Sequence, residues 1–385
     1  MPVQIRPFVD ADYPAYVAIG NRVYPEFPES EAEVRQADAA WDHGRFLKKR
    51  FVAEDGAGRL VGSFVFSHMP DQFHPDRYGF GLQVLPDARR RGIGTALYER
   101  LLGELRERGA IVARTQVKES MPDGIDFLRK RGFAEMQRAW ESRLDVAAFD
   151  EAPFAGAEGR ATELGIAFTT LGAERERDPD ALRRAYELYL ICSRDVPEID
   201  PVTDVPFEHF RNYEVEGPGA LPDGYLLATD GDRYVGMSSL YATEEDPGIL
   251  YQGLTAVLPE YRGRGIAMAL KLRTVAYARE HRKREIRTWN NTRNRPMLRI
   301  NEAMASPSNR SGSSSKRTLP RHRTTRRRCR AGVPWARQKA DVFLSVPTPS
   351  SPPSSKTPSS VPGGTAPFSL APSPSSSSAN ALSTT

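Results

Sequence analysis

The sequence contains little cysteine and no long apolar run. Its two cysteines are Cys192 and Cys329, which excludes a disulfide framework, and neither has the neighbours of a zinc site or a CxxC redox pair. We therefore expect no metal centre. No stretch reaches the roughly 18 apolar residues that a membrane-spanning helix needs, and residues 1–13 lack the apolar core of a secretion signal. The sequence predicts a cytoplasmic protein without membrane spans.

The positive charge is concentrated at one end of the chain. Residues 305–385 hold 12 of the 54 lysines and arginines and one of the 49 acids, which leaves 42 bases against 48 acids in the first 304 residues. The body of the protein is therefore mildly acidic, although the whole chain has a formal charge of +5. The arginine cluster at residues 326–328 attracts nucleic acid electrostatically. It has no interleaved aromatic side chains, and we do not expect a nucleic-acid partner.

A short arginine- and glycine-rich stretch occurs twice. The sequence RRRGIG at residues 89–94 recurs 173 residues later as RGRGIA at residues 262–267. Each copy follows a strand-like run and opens a helix-like run. A glycine-rich turn that opens a helix leaves several backbone N–H groups unpaired at the positive end of the helix dipole. Such turns bind phosphate groups, so the sequence predicts two diphosphate sites.

The order of predicted elements divides the chain into two similar units. Short strands alternate with helices in both, which indicates an α/β protein with two tandem units, each a mixed, mostly antiparallel sheet flanked by helices. We predict an N-terminal unit at residues 1–149, a linker at 150–163 and a C-terminal unit at 164–304.

The second unit ends before its expected closing strands. Adding the offset of 173 residues to Gly132 and Phe133 leads to Ala305 and Ser306, where the composition turns abruptly to serine, arginine and proline. Residues 305–385 have too few apolar side chains to bury a core, so we predict a low-complexity, disordered tail. The abrupt change also motivates the hypothesis of a reading-frame slip. Resequencing the codons for residues 304–310 tests that hypothesis, and a single uninterrupted frame there would remove it.

Both copies resemble motif A of the GNAT family of acyl-CoA-dependent N-acyltransferases. The resemblance is carried by a strand ending in Val84 or Val257, a proline two residues later, an R-x-x-G-x-G/A turn and a following helix. It covers both units. The paired arrangement is similar to that of tandem acetyltransferases of the mycothiol synthase type.

The resemblance implies that acetyl-CoA, or another acyl-CoA, is the co-substrate at both turns. In the family, main-chain N–H groups of the turn bind the pyrophosphate, and the preceding strand binds the acyl and pantetheine part where the sheet opens. The resemblance adds Asn294 as a pantetheine contact, with Met121 at the matching position of the first copy. The other implied cofactor-binding residues are Leu82, Val84, Arg89, Arg90, Arg91, Gly92, Ile93, Gly94, Thr95, Thr255, Val257, Arg262, Gly263, Arg264, Gly265, Ile266 and Ala267.

The sequence does not identify the groups that transfer protons. Many relatives have a tyrosine near the end of the late helix that protonates the departing thiolate, but Leu128 and Asn301 stand at the matching positions. Some relatives use a glutamate on the strand before motif A as a base, and the 173-residue offset places Tyr78 and Tyr251 there. Strand tyrosines more often pack in a core, and loop histidines are more often solvated. The catalytic candidates are Tyr78, Tyr251, Glu54 and His68, with His74, Glu244 and Glu245 as further candidates.

We expect an N-acyltransferase that moves an acetyl or other short acyl group directly from acyl-CoA to an amine in a ternary complex. The acceptor would be a small molecule or a peptide, bound by variable loops such as residues 24–41 and 197–222. The alternative is a catalytically impaired acyl-CoA-binding sensor or structural protein. The sequence leaves the active unit and the oligomeric state open.

Overall fold

The computed structural model describes residues 3–217, 219–305, 335–337 and 341–347. Among these residues, no helix has the length and apolar character needed to cross a membrane. In the first unit the helices are α1 (Tyr13–Val23), α2 (Glu31–Ala39), α3 (Ile93–Glu107) and α4 (Pro122–Arg129). Its strands are β1 (Gln4–Pro7), β2 (Lys48–Glu54), β3 (Leu60–Ser67), β4 (Arg77–Val84), β5 (Val112–Lys118) and β6 (Ala134–Asp145).

The second unit repeats this order of elements. A short helix, α5 (Ala157–Glu163), occupies the second half of the predicted linker. The remaining helices are α6 (Leu171–Arg177), α7 (Ala181–Ser193), α8 (Phe207–Phe210), α9 (Ile266–Glu280) and α10 (Arg295–Ala305), and a π-helical turn at Arg211–Val215 follows α8. The strands are β7 (Ile166–Thr170), β8 (Leu226–Asp230), β9 (Arg233–Ala242), β10 (Ile249–Val257) and β11 (Glu285–Asn291), followed by β12 (Trp335–Arg337) and β13 (Asp341–Pro347).

The two units share one continuous sheet. Its order across the described residues is β1-β2-β3-β4-β5-β13-β6-β11-β10-β9-β8-β7, with β12 also paired to β6. Strand β6 of the first unit pairs antiparallel with β11 of the second from Ala139↔Asn291 to Asp145↔Glu285. The second unit therefore continues its sheet on a strand of the first unit.

Two stretches of the predicted tail differ from the expectation of disorder. The backbone of β13 pairs antiparallel with both β5 and β6, and β12 pairs with β6. The sheet edges of β5 and β6 present unpaired backbone N–H and C=O groups, and an added strand satisfies them. The rest of residues 305–385, including Cys329 and the arginine cluster, lies outside the described residues.

In each unit, a helix that starts at the arginine–glycine turn covers that unit's part of the sheet. On α3, Ile93, Leu97, Leu101 and Leu105 recur every four residues and are at most 6% exposed, so one stripe of the helix packs on the first unit's core. Helix α9 has the same length of 15 residues as α3 and starts 173 residues later. The repeat predicted from the sequence is confirmed in this region.

The strand that precedes each turn separates from its parallel neighbour. Strands β4 and β5 pair only from Arg77↔Val112 to Gly79↔Arg114, and β10 and β11 pair only from Ile249↔Glu285 to Tyr251↔Arg287. Beyond these three pairs the two strands diverge, so each sheet opens beside the end of the strand. The opening expected from the family resemblance is present in both units.

A β-bulge distinguishes the two openings. The pairing of β10 with β9 shifts between Gln252 and Thr255, whereas β4 pairs with β3 without a shift from Gly79 to Val84. A bulge inserts one extra residue, so side chains before it exchange faces of the sheet. Gly79 and Tyr251 therefore hold equivalent places, opposite Arg114 and Arg287 respectively.

The bulge corrects the sequence alignment of the two tyrosines. At a constant offset, Tyr78 and Tyr251 match, but in the structure Tyr78 lies opposite Ala113 while Tyr251 lies one place further on, opposite Arg287. The two rings consequently point to opposite faces of the sheet. Their matched spacing in the sequence is no argument for a shared role.

Each unit also lends a loop to the other. Asp200, between α7 and α8, forms ion pairs with Arg77 at 2.7 Å and with Arg114 at 2.6 Å. In the reciprocal contact, Arg287 donates from Nη1 to the carbonyl oxygen of Glu26, between α1 and α2, at 2.6 Å. The space above each opening is therefore bounded by residues of both units.

Candidate functional site

The two arginine–glycine turns form matching cradles at the starts of α3 and α9. Gly92 and Gly265 precede the helices with φ of 83° and 81°, a left-handed conformation that glycine adopts without steric cost. Neither helix start is capped by a side chain. The first amides of each helix therefore point outward at its positive end, available to an anion.

Open space lies in front of both cradles. A β-carbon added at Gly92, Gly263 or Gly265 would have no atom within 4 Å. Ile93 and Ile266 are 6% and 1% exposed, so they anchor the turns in the core and can contribute to a ligand site only through their main chain. At the next position, a β-carbon on Gly94 would lie 3.6 Å from Phe127, and Ala267 fills the equivalent place.

The first arginine of each turn ties the turn to the preceding strand. Arg89 donates from Nε to the carbonyl oxygen of Val84 at 3.1 Å, and Arg262 donates from Nε to that of Val257 at 3.0 Å. Arg262 also forms an ion pair with Asp195. The guanidinium groups thus hold the cradle in shape, and their Nε atoms are engaged before any phosphate binds.

The other polar members of the turns lie at the surface. Arg90, Arg91 and Thr95 are exposed, and Arg131 donates to the hydroxyl of Thr95 at 3.0 Å. Arg264 donates to the carbonyl oxygen of Glu260 at 2.9 Å. Because Arg90 and Arg91 extend from an open cradle, they are the side chains best placed to add charge-assisted bonds to a diphosphate.

The predicted strand residues lie at the openings. Leu82 and Val84 of β4 pack against the first unit's core and pair with β3 opposite Phe64 and Gly62. In the second unit, Thr255 shares a hydrogen bond with Ser238 between their hydroxyls at 2.7 Å. Val257 is 6% exposed. These four positions can therefore contact a ligand through the backbone edge that faces the opening.

Asn294 stands directly before α10, as Met121 stands before α4. The Oδ1 atom of Asn294 accepts a hydrogen bond from the backbone N–H of Met297 at 3.3 Å, which caps the helix. Met121 provides no such cap. The Asn294 side chain is thus oriented with its oxygen toward the helix, and its contact with pantetheine stays a prediction.

Two of the catalytic candidates pack together in the first unit. Tyr78 is 4% exposed, its hydroxyl donates to the carbonyl oxygen of Pro75 at 2.9 Å, and its ring stacks on His68 at 4.8 Å. Burial raises the pKa of Tyr78. The backbone N–H of Leu47 donates to Nδ1 of His68 at 3.0 Å, and Nε2 lies 3.1 Å from the Pro75 oxygen. These contacts fix His68 as the Nε2–H tautomer and favour a structural role for both residues.

The remaining candidates are dispersed. Glu54 accepts from Arg6 at 3.1 Å beside the edge strand β1, and His74 accepts from the backbone N–H of Asp76 at 3.1 Å. Glu244 accepts from Ser30 of the first unit at 2.8 Å, and Glu245 follows it in the same exposed loop. Tyr251 lines a cavity. Proton transfer by any of them stays a prediction.

The sequence pointed to residues 24–41 and 197–222 as acceptor loops, but it singled out none of the residues that these loops and β11 bring to this region. Phe27, Glu29 and Trp289 line a cavity between the units. On the loop between α7 and α8, burial and the nearby Asp71 raise the pKa of Glu198 to about 7. No local pattern marks these residues, because their neighbours come from the other unit.

The structure thus holds two sites of one kind, each a glycine cradle facing an opened sheet. The profile of the acetyltransferase (GNAT) family matches residues 16–133 and 182–301, which together make up more than half of the chain. The chain therefore belongs to the acetyltransferase (GNAT) family, with two tandem copies of its domain. Acyl transfer is the activity that this membership supports.

Individual relatives agree with the tandem arrangement. Mycothiol acetyltransferase of Actinosynnema mirum is 26% identical over 226 residues, which cover 57% of this chain and 68% of that protein. The tandem GNAT protein from the clavulanic acid biosynthesis pathway, solved without AcCoA, has a TM-score of 0.65 at 17% identity and covers 91% of this chain and 100% of its own. A GCN5-related N-acetyltransferase from Sphaerobacter thermophilus has a TM-score of 0.58 at 18% identity, with coverages of 90% and 96%. At such identities the two structures show a shared fold.

Proposed function

We propose that this protein transfers an acetyl or other short acyl group from acyl-CoA to the amine of a small molecule or peptide. The observation that supports this proposal is the pairing, in both units, of an uncapped glycine cradle with a sheet that opens beside it. The cradle fits the diphosphate of CoA, because main-chain amides and the helix dipole favour an anion there. The opening fits the extended pantetheine arm, because it offers an unpaired strand edge.

Direct transfer needs no covalent enzyme intermediate. The lone pair of the neutral amine forms a bond to the thioester carbonyl carbon, the C–S bond breaks, and its electron pair stays on the CoA sulfur. The proton that the amine loses neutralises the thiolate directly or through water, which gives the amide and free CoA. A backbone N–H at the opening can polarise the thioester carbonyl.

We infer that the second unit carries the transfer reaction. Its β10 bulge turns backbone groups into the opening, and bulges often re-aim groups at active sites. Gly253 is required within this bulge, since an added β-carbon would lie 2.5 Å from the Ser239 hydroxyl oxygen and 2.7 Å from the Tyr241 ring. The bulge and Asn294 belong to this unit, and its Tyr251 lines the cavity between the units, whereas β4 is regular.

A sensor that binds acyl-CoA without turnover is the second candidate. It is favoured by Leu128 and Asn301, which are 7% and 2% exposed at the positions where many relatives have the tyrosine acid. Asn301 donates from Nδ2 to Oδ1 of Asn290 at 2.5 Å, and an amide cannot protonate a thiolate.

Incubation of the full-length protein with acetyl-CoA and a panel of primary amines separates the two candidates. We expect amine-dependent release of the CoA thiol together with an acetylated product detected by mass spectrometry. Acetyl-CoA binding by calorimetry without thiol release for any amine would favour the sensor. Absence of acetyl-CoA binding would overturn both.

A further inference from the structure

A cavity of about 660 Å³ lies where the two units meet. The first unit contributes the segment around Phe27 and Glu29 together with Gln83 and Lys118, and the second contributes Tyr251, Trp289 and residues 241–243 at the end of β9. This volume falls in the range of roughly 300–1,000 Å³ that small-molecule sites occupy. The cavity borders both openings. Gln83 of β4 and Lys118 of β5 lie beyond the last β4–β5 pair, and Tyr251 is the last β10 residue paired with β11.

Three aromatic rings form one wall of this cavity. The centroid of Phe27 lies 5.5 Å from that of Trp289 and 6.5 Å from that of Tyr251, and the Tyr251 and Trp289 centroids are 5.7 Å apart. Lys118 covers one face of Phe27, with Nζ 3.9 Å from the ring centroid. The wall therefore combines mutually tilted rings from both units into an apolar surface that suits an aromatic or other apolar body.

Of the charged side chains described at the cavity, Lys118 and Glu33 are engaged by other protein groups, and Glu29 is not. Lys118 forms an ion pair with Glu26 at 2.5 Å. The Glu33 carboxylate accepts the backbone N–H groups of Ser30 and Glu244. Among the described residues, the Glu29 carboxylate has no hydrogen-bond or ion-pair partner, and its loss of bulk water and the nearby Glu33 raise its pKa.

The position of Glu29 is fixed although its carboxylate is not engaged. Asn21 accepts from the backbone N–H of Glu29 at 2.9 Å and donates to its carbonyl oxygen at 2.9 Å. These bonds hold the backbone of Glu29, and the residue is exposed although nearby protein atoms partly desolvate its carboxylate. A carboxylate held at this place without a protein partner, beside an apolar wall, suits an ammonium group, because the two can form a charge-assisted bond.

We propose that this cavity binds the acceptor of the second unit, and that the acceptor is a primary amine carried on an aromatic or similarly apolar body. Glu29 receives the ammonium group, and Phe27, Tyr251 and Trp289 pack against the body. The inference rests on the proposed acyl transfer. It adds that residues of the first unit determine the acceptor specificity of the second.

Direct binding tests the acceptor class independently of turnover. Calorimetry of the full-length protein saturated with CoA, which cannot acylate, compares three probes: tryptamine, ethanolamine and the neutral alcohol tryptophol. We expect tryptamine to bind at least about tenfold more tightly than either of the others, because only it has both the ring and the ammonium group. Equal affinities for tryptamine and ethanolamine, or no binding of tryptamine, would overturn the proposal.

Matched variants test the two parts of the cavity. Trp289→Ala should weaken tryptamine binding by about tenfold or more and leave ethanolamine unchanged. Glu29→Gln should weaken both amines and leave tryptophol unchanged. Glu31→Gln is the control, since Glu31 engages Arg35 at 2.7 Å and should change nothing. Phe27→Leu, on the other unit, gives a second test of the wall should Trp289→Ala fail to fold.

Steady-state kinetics distinguish failure of this inference from failure of the proposed function. Acetylation of tryptamine with a KM that rises in Trp289→Ala, at an unchanged CoA affinity, supports both. Acetylation of ethanolamine but not of tryptamine leaves the transferase in place and overturns the acceptor class. No acetylation of any amine, with tryptamine still bound in the cavity, overturns the transferase and keeps the binding site.

Discussion

The two units share one plan but differ at the strand before the cradle. Strand β4 continues in regular register to Val84, whereas β10 contains a bulge between Gln252 and Thr255. Both strands part from their neighbour after three pairs. A duplicated fold can therefore keep its glycine cradle twice while a single inserted residue changes which side chains face the opening.

The difference extends into the core behind the strand. In the first unit, Phe80 and Tyr98 pack around Phe133 with centroid distances of 5.7 and 6.3 Å. In the second, the bulge brings Gln252 to the place of Phe80, and Gln252 accepts a hydrogen bond from Lys271 of α9. Lys271 is 1% exposed. An aromatic cluster is thus replaced by a buried polar pair.

The largest expected effect is the loss of acyl-CoA from a cradle that carries an anion. Gly265→Glu should abolish turnover, whereas Gly92→Glu should leave most of it, because we place the reaction in the second unit. Losing two charge-assisted bonds of about 1.5–3 kcal/mol each corresponds to a drop in affinity of more than about 100-fold. Calorimetry should show one acetyl-CoA site lost in each variant, and CoA release measures the turnover.

Asparagine at the same positions provides the control for these variants. Asparagine tolerates the left-handed conformation of Gly92 and Gly265 better than other side chains do, and it adds no charge. Gly92→Asn and Gly265→Asn should therefore retain most of the affinity. Loss of turnover in Gly92→Glu but not in Gly265→Glu would reverse the assignment of the active unit. An unchanged number of bound acetyl-CoA molecules in both glutamate variants would show that the cradles are not cofactor sites.

The next largest effect is on stability, and it concerns the loops around Asp200 and Glu26 that each unit extends over the other. Asp200→Ala leaves Arg77 and Arg114 without their carboxylate, and the Arg114 and Asp200 side chains are only 10% and 13% exposed. We expect the free energy of unfolding in urea to fall by about 3 kcal/mol.

The reciprocal variant sharpens this comparison between the loops. Glu26→Ala should cost less, about 1 kcal/mol, because Arg287 bonds to the backbone carbonyl of Glu26, which the substitution keeps, and the lost ion pair with Lys118 involves a carboxylate that is 37% exposed. Equal losses in Asp200→Ala and Glu26→Ala would mean that the two arginines depend on the other loop in the same way.

The buried polar pair should make stability depend on pH. Burial lowers the pKa of Lys271 from 10.5 to about 7. Below pH 7 Lys271 is protonated in both the folded and the unfolded protein, and the buried charge destabilises the folded protein to its full extent. Between pH 7 and 10.5 the unfolded state binds more protons, so the unfolding free energy rises with pH, by at most about 1.4 kcal/mol per unit.

Lys271→Met removes the titrating group and should abolish this rise in urea unfolding curves measured across the window. Gln252→Leu in the same chain removes the partner that would otherwise be left buried without its donor. Tyr98→Met, in the first unit, is the control and should preserve the slope. If the unfolding free energy of the Lys271 variants still rises with pH, another group is responsible for the rise.

The smallest effect concerns the second residue of the cradles. Arg90 has φ of 63° and the matching Gly263 has φ of 76°, and a left-handed conformation costs a non-glycine residue about 1–2 kcal/mol. Arg90→Gly should stabilise the fold by about 0.5 kcal/mol after the greater chain entropy of glycine is counted. Gly263→Arg should destabilise it by about 1 kcal/mol. Thermal unfolding measures both, and a destabilising Arg90→Gly would show that the Arg90 side chain contributes more than its strain costs.

The sequence predicted those features that depend on neighbours along the chain. The glycines of the two turns, the helices that follow them and the strands Val112–Lys118 and Glu285–Asn291 recur at the constant offset. Local backbone preference and the period of apolar residues determine these elements. The same offset was wrong for Tyr78 and Tyr251, because an inserted bulge changes the pairing between strands without changing the spacing of the motif.

What the sequence alone determined is a pair of glycine-rich turns that open helices, together with the family to which such turns point. The tertiary structure decided the rest. It joined the sheets through β6 and β11, placed Glu26–Phe27 and Asp200 over the opposite unit's openings, and gathered Glu29 with Trp289 around one cavity. Such contacts join residues more than 80 positions apart in the chain. Their formation depends on how whole units pack, which no local pattern of side chains specifies.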